Sequence, residues 1–233
     1  MELFYHPNPE KGVFAAEESK HIAKVLRYEI GDKIAITNGK GTRFSGRVTD
    51  NNYLALKFQI ESQQSSAPLK PAINLIVAPL KHQDRMEWLV EKVVEIGVAN
   101  IYFWPTQRAE KQKPKLDRFE KIAISAIKQS KQDWLPKIEL ISSLTDLPLA
   151  TINLIAHLEE GTGNRTIPSQ LSNKPESVNV LIGPEGDFTQ QEINQALALN
   201  YQAVTLGTNV LRTETAAMVA CASIRQHYFT VGN

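Results

Sequence analysis

The chain contains very little cysteine. Its 233 residues include one cysteine, Cys221, so no disulfide can form within the chain and no multi-cysteine zinc site can be built. The scarcity favours a reducing compartment. The first residues lack the basic start and apolar core of a signal peptide, and no apolar run reaches the length of a membrane span. We therefore expect a cytoplasmic protein with no membrane association.

The sequence also lacks a large net charge and several signature motifs. The formal net charge is only +1, so a polyanionic partner has to be bound by a local patch. No G-x-G-x-x-G follows a strand and no G-x-x-x-x-G-K-[ST] occurs, which argues against an ordinary dinucleotide site and a phosphate-binding P-loop. H-E-x-x-H and G-x-S-x-G are absent as well. Because the five histidines lack metal-ligand spacing, no metal site is expected.

Residues 1–70 show the hydrophobic pattern that is typical of β-strands. Apolar residues alternate roughly with period two at 33–36, 43–48 and 53–60, and turn signals separate these segments. A short helix is predicted over 17–26. Residues 63–68 are polar and are predicted to be an unstructured linker that ends near Pro71. Several short strands joined by tight turns favour a small barrel over 1–70.

After residue 70 the hydrophobic pattern changes and predicts strands that alternate with helices. Apolar runs predict buried strands at 73–78, 101–104, 152–157, 178–182 and 203–206. Amphipathic spacing predicts helices around 86–97, 116–127 and 213–229. This alternation predicts an α/β domain over 71–233, with a mostly parallel sheet covered on both sides.

Three loops follow predicted strands, at the edge where parallel sheets bind ligands. They begin at His157, Gly183 and Gly207. Gly183, Gly186 and Gly207 allow positive φ and carry no side chain, so a ligand can lie against bare backbone. Thr189 and a glutamate three residues later have the spacing of a capping box, so a helix is predicted to start after the second loop. Each loop also fits an ordinary strand-to-helix turn, and the pattern alone does not name a ligand.

Charged residues near these loops suggest anion binding. Arg212 precedes the last predicted helix, where a cation opposes the helix dipole, so its presence suggests an anionic ligand, a phosphate or a partner carboxylate. Glu214, in the first turn, is explained by the dipole alone. Residues 106–137 contain nine Lys or Arg and four Asp or Glu, a net charge of +5. Such a run is either a solvated face or a track for a phosphate backbone.

Taken together, several motifs resemble the RsmE family, the small-subunit (16S) ribosomal RNA uracil-N3 methyltransferases of the SPOUT superfamily. The matching stretches are IGPEGDF at 182–188, LGTNVLRTETA at 206–216, HIAKVLR at 21–27 and KVVEIGV at 92–98. Gln129 and Ser130 followed by Pro136 fit as well. The resemblance covers essentially the whole chain.

The resemblance implies a fold and a ligand. It implies a PUA-like RNA-binding β-barrel over 1–70 and a SPOUT methyltransferase domain over 71–233, whose last segment threads a trefoil knot. S-adenosylmethionine is expected to bind in the knot against the glycine loops, in a homodimer that acts on ribosomal RNA of the small subunit. The implied cofactor contacts are Leu158, Ile182, Gly183, Gly186, Leu206, Gly207, Val210 and Leu211.

Roles for charged residues follow from the same resemblance. Arg212 is expected to stabilise the uracil anion or to hold an RNA phosphate. Glu185 is a candidate general base, and its alternative role is to fix its own loop by hydrogen bonds. The expected RNA contacts are Arg27, Arg108 and Lys128.

Three positions depart from the family pattern. Asp187 stands where a second glycine is common, Asn209 stands where an arginine is frequent, and residues 107–109 read Gln-Arg-Ala where Glu-Arg-Ser is usual. Two alternatives stay open. One is a SPOUT methyltransferase that acts on another RNA or another atom, and the other is an RNA-binding ribosome-assembly factor without catalysis. A nucleotide-dependent enzyme of ordinary doubly wound type is disfavoured by the missing fingerprints.

Overall fold

A computed structural model of the chain describes residues 1–109, 113–157, 165–171 and 174–230. The chain divides into two compact units. The first comprises Met1–Pro68 together with Ile127–Leu135, and the second comprises Leu69–Ala126 together with Pro136–Asn233. The boundary expected after residue 70 stays a prediction.

The first unit is built on a four-stranded sheet in the order β1-β2-β3-β4. Its elements in chain order are β1 (Leu3–Tyr5), a 3₁₀ turn (Pro9–Lys11), α1 (Ala16–Lys20), a π-helical turn (His21–Val25), β2 (Lys33–Thr37), β3 (Thr42–Asp50) and β4 (Lys57–Ser65). β1 pairs in parallel with β2, and the other neighbours pair antiparallel. Its core is mainly phenylalanine and isoleucine, including Phe4, Phe14, Ile34, Ile36, Phe44 and Phe58. The helix predicted over 17–26 is present, but its second half is π-helical.

The polar segment 63–68 is partly a strand. β4 continues to Ser65, and residues 63–65 pair antiparallel with residues 42–44. The prediction of an unstructured linker was therefore wrong for residues 63–65. β4 lies at the edge of its sheet and its last residues are exposed, so the backbone ladder holds the strand without alternating apolar side chains.

The second unit is an α/β structure around a six-stranded sheet in the order β10-β8-β9-β5-β6-β7. The elements after residue 70 are β5 (Ala72–Val77), α2 (Gln83–Ile96), β6 (Asn100–Phe103), α3 (Leu116–Ser130), β7 (Lys137–Leu140), a 3₁₀ turn (Leu144–Asp146), β8 (Ile152–Ala156), α4 (Ile167–Gln170), β9 (Ser177–Ile182), α5 (Gln190–Ala198), β10 (Gln202–Val204) and α6 (Thr213–Thr230). All neighbouring strands pair in parallel. The predicted parallel α/β sheet is confirmed, and it gains the edge strand β7, which the sequence did not predict. Because β8, β9 and β10 are close neighbours, the loops at their carboxyl ends meet.

Two helix signals in the second unit are confirmed. The apolar face predicted for α2 is buried and includes Met86, Leu89, Val90, Val93 and Val94. α2 ends at Gly97, whose φ of 93° is in the left-handed region. Thr189 and Glu192 form the predicted capping box at the start of α5. These signals set the lengths of the helices that flank the ligand edge of the sheet.

One asparagine from each of four neighbouring strands lies at the same level of the sheet. Strand register aligns Asn100, Asn74, Asn179 and Asn153. Nδ2 of Asn100 donates to Oδ1 of Asn74 at 2.7 Å, and Nδ2 of Asn74 donates to Oδ1 of Asn179 at 2.7 Å. Nδ2 of Asn179 donates to Oδ1 of Asn153 at 2.9 Å. A buried amide without a partner destabilises a protein by about 1–3 kcal/mol, so this row favours one strand register over any slipped one.

Candidate active site

A cleft opens at the carboxyl ends of β8, β9 and β10. The space inside it, counted together with its open mouth, is about 630 Å³. Its walls are the end of β8, the loop after β9, and the loop after β10 with the first turn of α6. Open α/β sheets bind ligands at this edge, so the cleft is the candidate active site.

The loop after β9 is shaped by the aromatic ring of Phe188. A Cβ atom at Gly183 would lie 3.0, 3.1 and 3.2 Å from three carbon atoms of this ring. Phe188 is 3% exposed and packs against Trp104, with ring centroids 6.2 Å apart. Gly183 is therefore required because its backbone lies directly on a buried ring that has little room to move.

Two residues of these loops have positive φ. Of the three glycines that allow it, Gly207 has a φ of 132°, whereas Gly183 and Gly186 do not use this region. The left-handed residue of the loop after β9 is Asp187, with φ of 60°. Aspartate tolerates this region better than most residues, and Oδ1 of Asp187 accepts a hydrogen bond from the Phe188 N–H at 2.7 Å. The loop thus accommodates an aspartate at the position where the family commonly has glycine.

Side chains from two neighbouring segments hold the far end of this loop. Nη1 of Arg108 donates to the main-chain oxygens of Gly186 and Phe188 at 2.9 and 3.3 Å. Oε1 of Glu192, in α5, accepts from the Gln107 N–H at 2.7 Å. Arg108, an expected RNA contact, therefore has a structural task in the second unit.

The loop after β10 is joined to the loop after β9 by a threonine. The Thr213 hydroxyl, at the start of α6, donates to the main-chain oxygen of Gly183 at 3.0 Å. Within its own loop, the Thr205 hydroxyl donates to the Gly207 carbonyl at 2.9 Å and accepts from the Gly207 N–H at 3.2 Å. These bonds fix the two glycine loops as adjoining walls of one cleft.

Most of the expected cofactor residues lie together in this cleft. Those that line it are Ile182, Gly183, Leu206, Gly207, Val210 and Leu211. Gly186 does not line it, because it lies beneath the Arg108 side chain, whose Cδ would be 3.6 Å from a Cβ at Gly186. Leu158 lies outside the described residues. Contact between these residues and a cofactor stays a prediction.

An arginine not singled out in the sequence joins the elements that carry Glu185 and Arg212. Arg85, in α2, binds Glu214 through two bonds, Nε to Oε1 at 2.9 Å and Nη2 to Oε2 at 2.6 Å. Nη1 of Arg85 also donates to Oε1 of Glu185, which lines the cleft. The hydrogen bond favours the loop-fixing role of Glu185 over the role of general base.

These contacts keep Glu214 charged although it is buried. Burial is the largest single influence and raises the pKa of the Glu214 carboxyl group. The Arg85 hydrogen bonds, a main-chain hydrogen bond and the charges of Arg85 and Arg212 together outweigh burial, so the pKa of Glu214 lies below its usual value. The hydrogen bonds that Arg85 donates to Glu214 in turn raise the pKa of Arg85. Arg212 is exposed and makes no side-chain hydrogen bond or ion pair with the described residues. Arg212 does not line the cleft, but its neighbours Leu211 and Thr213 do.

The other expected RNA contacts belong to the first unit. Arg27 follows the π-helical turn with φ of 57°, and its side chain is partly exposed. Nζ of Lys128 pairs with Oε1 of Glu18 at 2.7 Å and lies 5.8 Å from the ring centroid of Phe4. Lys128 is therefore neutralised by a partner, and RNA binding by Arg27, Arg108 and Lys128 stays a prediction.

The described residues show neither a metal site nor a membrane span. Within the described ranges, no group of three or more His, Cys, Asp or Glu side chains is arranged to hold a metal ion. None of the helices that the structure describes has the length and apolar character needed to cross a bilayer.

Comparison with known proteins shows which family the chain belongs to. A sequence model of the RNA methyltransferase domain matches residues 67–225, and a model of the RNA methyltransferase PUA domain matches residues 14–59. Ribosomal RNA small subunit methyltransferase E of Mesomycoplasma hyopneumoniae is 35% identical over 167 residues, which are 68% of this chain and 71% of that protein. The chain belongs to this methyltransferase family. The resemblance to the RsmE family and the PUA-like first domain are thereby confirmed.

Solved structures of family members share the whole fold of this methyltransferase. A probable rRNA-methyltransferase from Porphyromonas gingivalis is 36% identical, with a TM-score of 0.92 over 99% of both chains. A ribosomal RNA small subunit methyltransferase E from Neisseria gonorrhoeae, bound to S-adenosyl methionine, is 28% identical, with a TM-score of 0.86 over 97% of both chains. The two-unit architecture is therefore that of the family.

The remaining departures of this methyltransferase from the family pattern lie around the cleft. Asn209 lines the cleft and is exposed. The segment 107–109 forms a turn in which the Ala109 N–H donates to the Thr106 carbonyl at 3.1 Å. In this turn Arg108 keeps its contact with the loop after β9, so the replacements at 107 and 109 leave that contact in place.

Proposed function

We propose that this methyltransferase transfers the methyl group of S-adenosylmethionine to N3 of uracil in small-subunit (16S) ribosomal RNA in the cytoplasm. One observation carries the proposal beyond family membership: two loops that bear the family motifs adjoin around a single cleft at the ligand edge of the sheet. The relative from Neisseria gonorrhoeae is named for small-subunit ribosomal RNA and binds S-adenosyl methionine.

The residues of the cleft fit such a methyl donor. S-adenosylmethionine supplies a methyl group that is already activated by a sulfonium. Gly183 and Gly207 have no side chain of their own, so a ligand can approach the main chain of the two loops closely. Leu206, Val210 and Leu211 provide apolar surface, which excludes water from the reacting groups. The task left to the protein is mainly to place the uracil in line with the methyl group.

The uracil must lose its N3 proton, because in neutral uracil the N3 lone pair belongs to the ring π system. Charge then develops on O2 and O4, and a nearby cation stabilises it. Arg212 supports this role because it is exposed, lies next to the cleft and has no described partner. Glu185 is held by Arg85, so we assign it to fixing the loop.

Replacement of the arginine tests this role. In Arg212→Ala, we expect methylation of small-subunit particles to fall by at least about 100-fold, while affinity for S-adenosylmethionine, measured by calorimetric titration, changes by less than about threefold. Lys70→Ala is the matched control, since Lys70 is an exposed cation paired with Glu176. Unchanged turnover in Arg212→Ala refutes the role of the arginine.

We infer that two copies of the chain associate through a surface beside the cleft. Trp88, in α2, is 40% exposed, and Val210 is 80% exposed. Large apolar side chains exposed beside a ligand site are typical of protein interfaces. Light scattering is expected to give twice 26.1 kDa for the wild type and a smaller mass for Trp88→Ser. A wild-type monomer at micromolar concentration contradicts this inference.

We also infer that the C-terminal segment threads a trefoil knot, as the family resemblance implies. The strand order supports this, since β9 is inserted between β5 and β8. Knots are rare in proteins, and single-molecule stretching detects one as an unfolded chain shorter than its contour length. A fully extended chain of 233 residues excludes the knot.

Two alternatives have different consequences. A SPOUT methyltransferase with another target would bind S-adenosylmethionine and place the methyl group elsewhere. An RNA-binding assembly factor without catalysis would bind no S-adenosylmethionine. The conformation of Asp187 argues against the second, because the loop accepts the aspartate with its backbone bonds in place. Calorimetric titration with the cofactor separates the two.

A further inference from the structure

Arg85 connects three separate elements around the candidate active site. Its guanidinium, in α2, contacts Glu214 in the first turn of α6 and Glu185 in the loop after β9. The two glutamates lie 129 and 100 residues away in the sequence. Arg85 therefore determines how the loop, one wall of the cleft, lies against the helix that follows Arg212.

The two halves of this contact differ in exposure. The Arg85 side chain is 18% exposed and that of Glu214 is 10% exposed, whereas that of Glu185 is 59% exposed. The bond to Glu214 is thus shielded from water and fixed in a bidentate geometry. The bond to Glu185 is at the surface and holds a residue that lines the cleft. The buried bond to Glu214 fixes the Arg85 guanidinium, which in turn holds the exposed Glu185 side chain.

Only a fork-shaped cation can make both contacts at once. A lysine has a single nitrogen and cannot serve two bonds to Glu214 and a third to Glu185 in these directions. Lys92, two turns along α2, shows the difference. It also pairs with two glutamates, Glu91 and Glu95, but both lie on α2 itself, so Lys92 joins no other element.

We propose that Arg85 is a positioning residue for methyl transfer, which fixes the loop bearing Glu185 against the start of α6 bearing Glu214. The proposal rests on the proposed function. Arg85 does not line the cleft, so it acts through the elements it holds. Its loss displaces Arg212 and the loop relative to each other, and a displacement of about 1 Å in such a site lowers a rate by as much as about 100-fold.

The charged residues around Glu214 predict a second effect of replacing Arg85, which is a change in the pH dependence of activity. Asp84, Arg85, Trp88 and Thr215 line a crevice with Glu214, and Arg212 lowers its pKa from the same end of α6. In Arg85→Gln the buried Glu214 carboxylate loses its main cation, so its pKa rises. Protonation of Glu214 then removes an unpaired buried charge. We therefore expect the loss of activity relative to the wild type to become smaller as the pH is lowered.

The experiment compares Arg85→Lys, Arg85→Gln and the control Lys92→Gln with the wild type in single-turnover methylation of small-subunit particles at saturating S-adenosylmethionine. We expect a loss of about 10-fold for Arg85→Lys and about 100-fold for Arg85→Gln. Lys92→Gln should equal the wild type. Calorimetry on all four proteins sets the concentration of S-adenosylmethionine that saturates each one, so the rates compare methyl transfer alone. Hydrogen exchange of residues 183–188 should accelerate in Arg85→Gln alone.

Each outcome decides a different point. Wild-type rates in both Arg85 variants overturn the positioning role while leaving the proposed function intact. A loss of rate that a higher concentration of S-adenosylmethionine restores also overturns it. A wild-type protein that methylates no small-subunit RNA refutes the proposed function and a role in catalysis together. Hydrogen exchange then still decides whether Arg85 holds the loop.

Discussion

Gly183 offers a direct test of how the cleft is built. In Gly183→Ala the new Cβ atom would lie 3.0–3.2 Å from three carbon atoms of the Phe188 ring, whereas ordinary contacts between carbon atoms are about 3.5–4.0 Å. The ring or the loop therefore has to retreat by about 0.5 Å. Phe188 is 3% exposed and lies in a core cluster with Trp104 and Ile193, so the ring has little space.

The magnitude follows from this crowding. Overpacking of a buried site typically destabilises a protein by about 1–3 kcal/mol. Since the loop is a wall of the cleft, we expect about a 5–30-fold loss of affinity for S-adenosylmethionine when 1–2 kcal/mol of this strain appears in binding. Calorimetric titration measures the affinity, and thermal denaturation measures the accompanying loss of stability.

Gly186→Ala is the matched control in the same loop. Its Cβ would meet only the Arg108 side chain, at 3.6 and 3.7 Å, which is ordinary van der Waals contact. We expect an affinity within about threefold of the wild type. If Gly183→Ala binds the cofactor as the wild type does, or if both variants lose affinity equally, the explanation by the Phe188 ring is incorrect.

Replacements at three further positions test other parts of the structure. Asn74→Val removes a middle member of the asparagine row and leaves amide groups without partners, so we expect the free energy of unfolding to fall by about 2–4 kcal/mol in chemical denaturation; an unchanged value contradicts a role in stability. Arg225 is 7% exposed, and its guanidinium donates two hydrogen bonds of 2.6 Å to main-chain carbonyls. Because Arg225→Met deletes both bonds, thermal denaturation should show a loss of stability of about 2–4 kcal/mol. An unchanged melting temperature would contradict this prediction. Asp187→Gly should keep cofactor affinity within about threefold of the wild type. Asp187→Val introduces about 1–3 kcal/mol of backbone strain at φ of 60° and should bind the cofactor more weakly. Equal affinities of the two variants in calorimetry would show that this backbone conformation is not required.

Much of the second unit was predictable because its signals are local. The apolar run of β5, the periodicity of α2 and the capping box at Thr189 each depend on residues a few positions apart. The position of the cleft followed as well, since the loops after parallel strands meet at one edge. The end of β4 was missed because an exposed edge strand needs no apolar alternation.

The features that could not be predicted depend on contacts between distant residues. Arg85 pairs with glutamates in two other elements, and nothing near it in the sequence indicates those partners. The need for glycine at 183 comes from Phe188 in the same loop, but it depends on how that loop folds back, which the local sequence does not show. The asparagine row did leave a signal, one asparagine in each of four strands, but its meaning required the strand order.

The most direct test of the account is to locate the methyl group. Purified protein, S-adenosylmethionine and small ribosomal subunits from cells that lack the enzyme are combined, and the RNA is digested and examined by mass spectrometry. The account predicts one new methyl group per subunit, on N3 of a uracil in the 16S RNA, and none with Arg212→Ala. Methyl groups on another base, or on another RNA only, would contradict it.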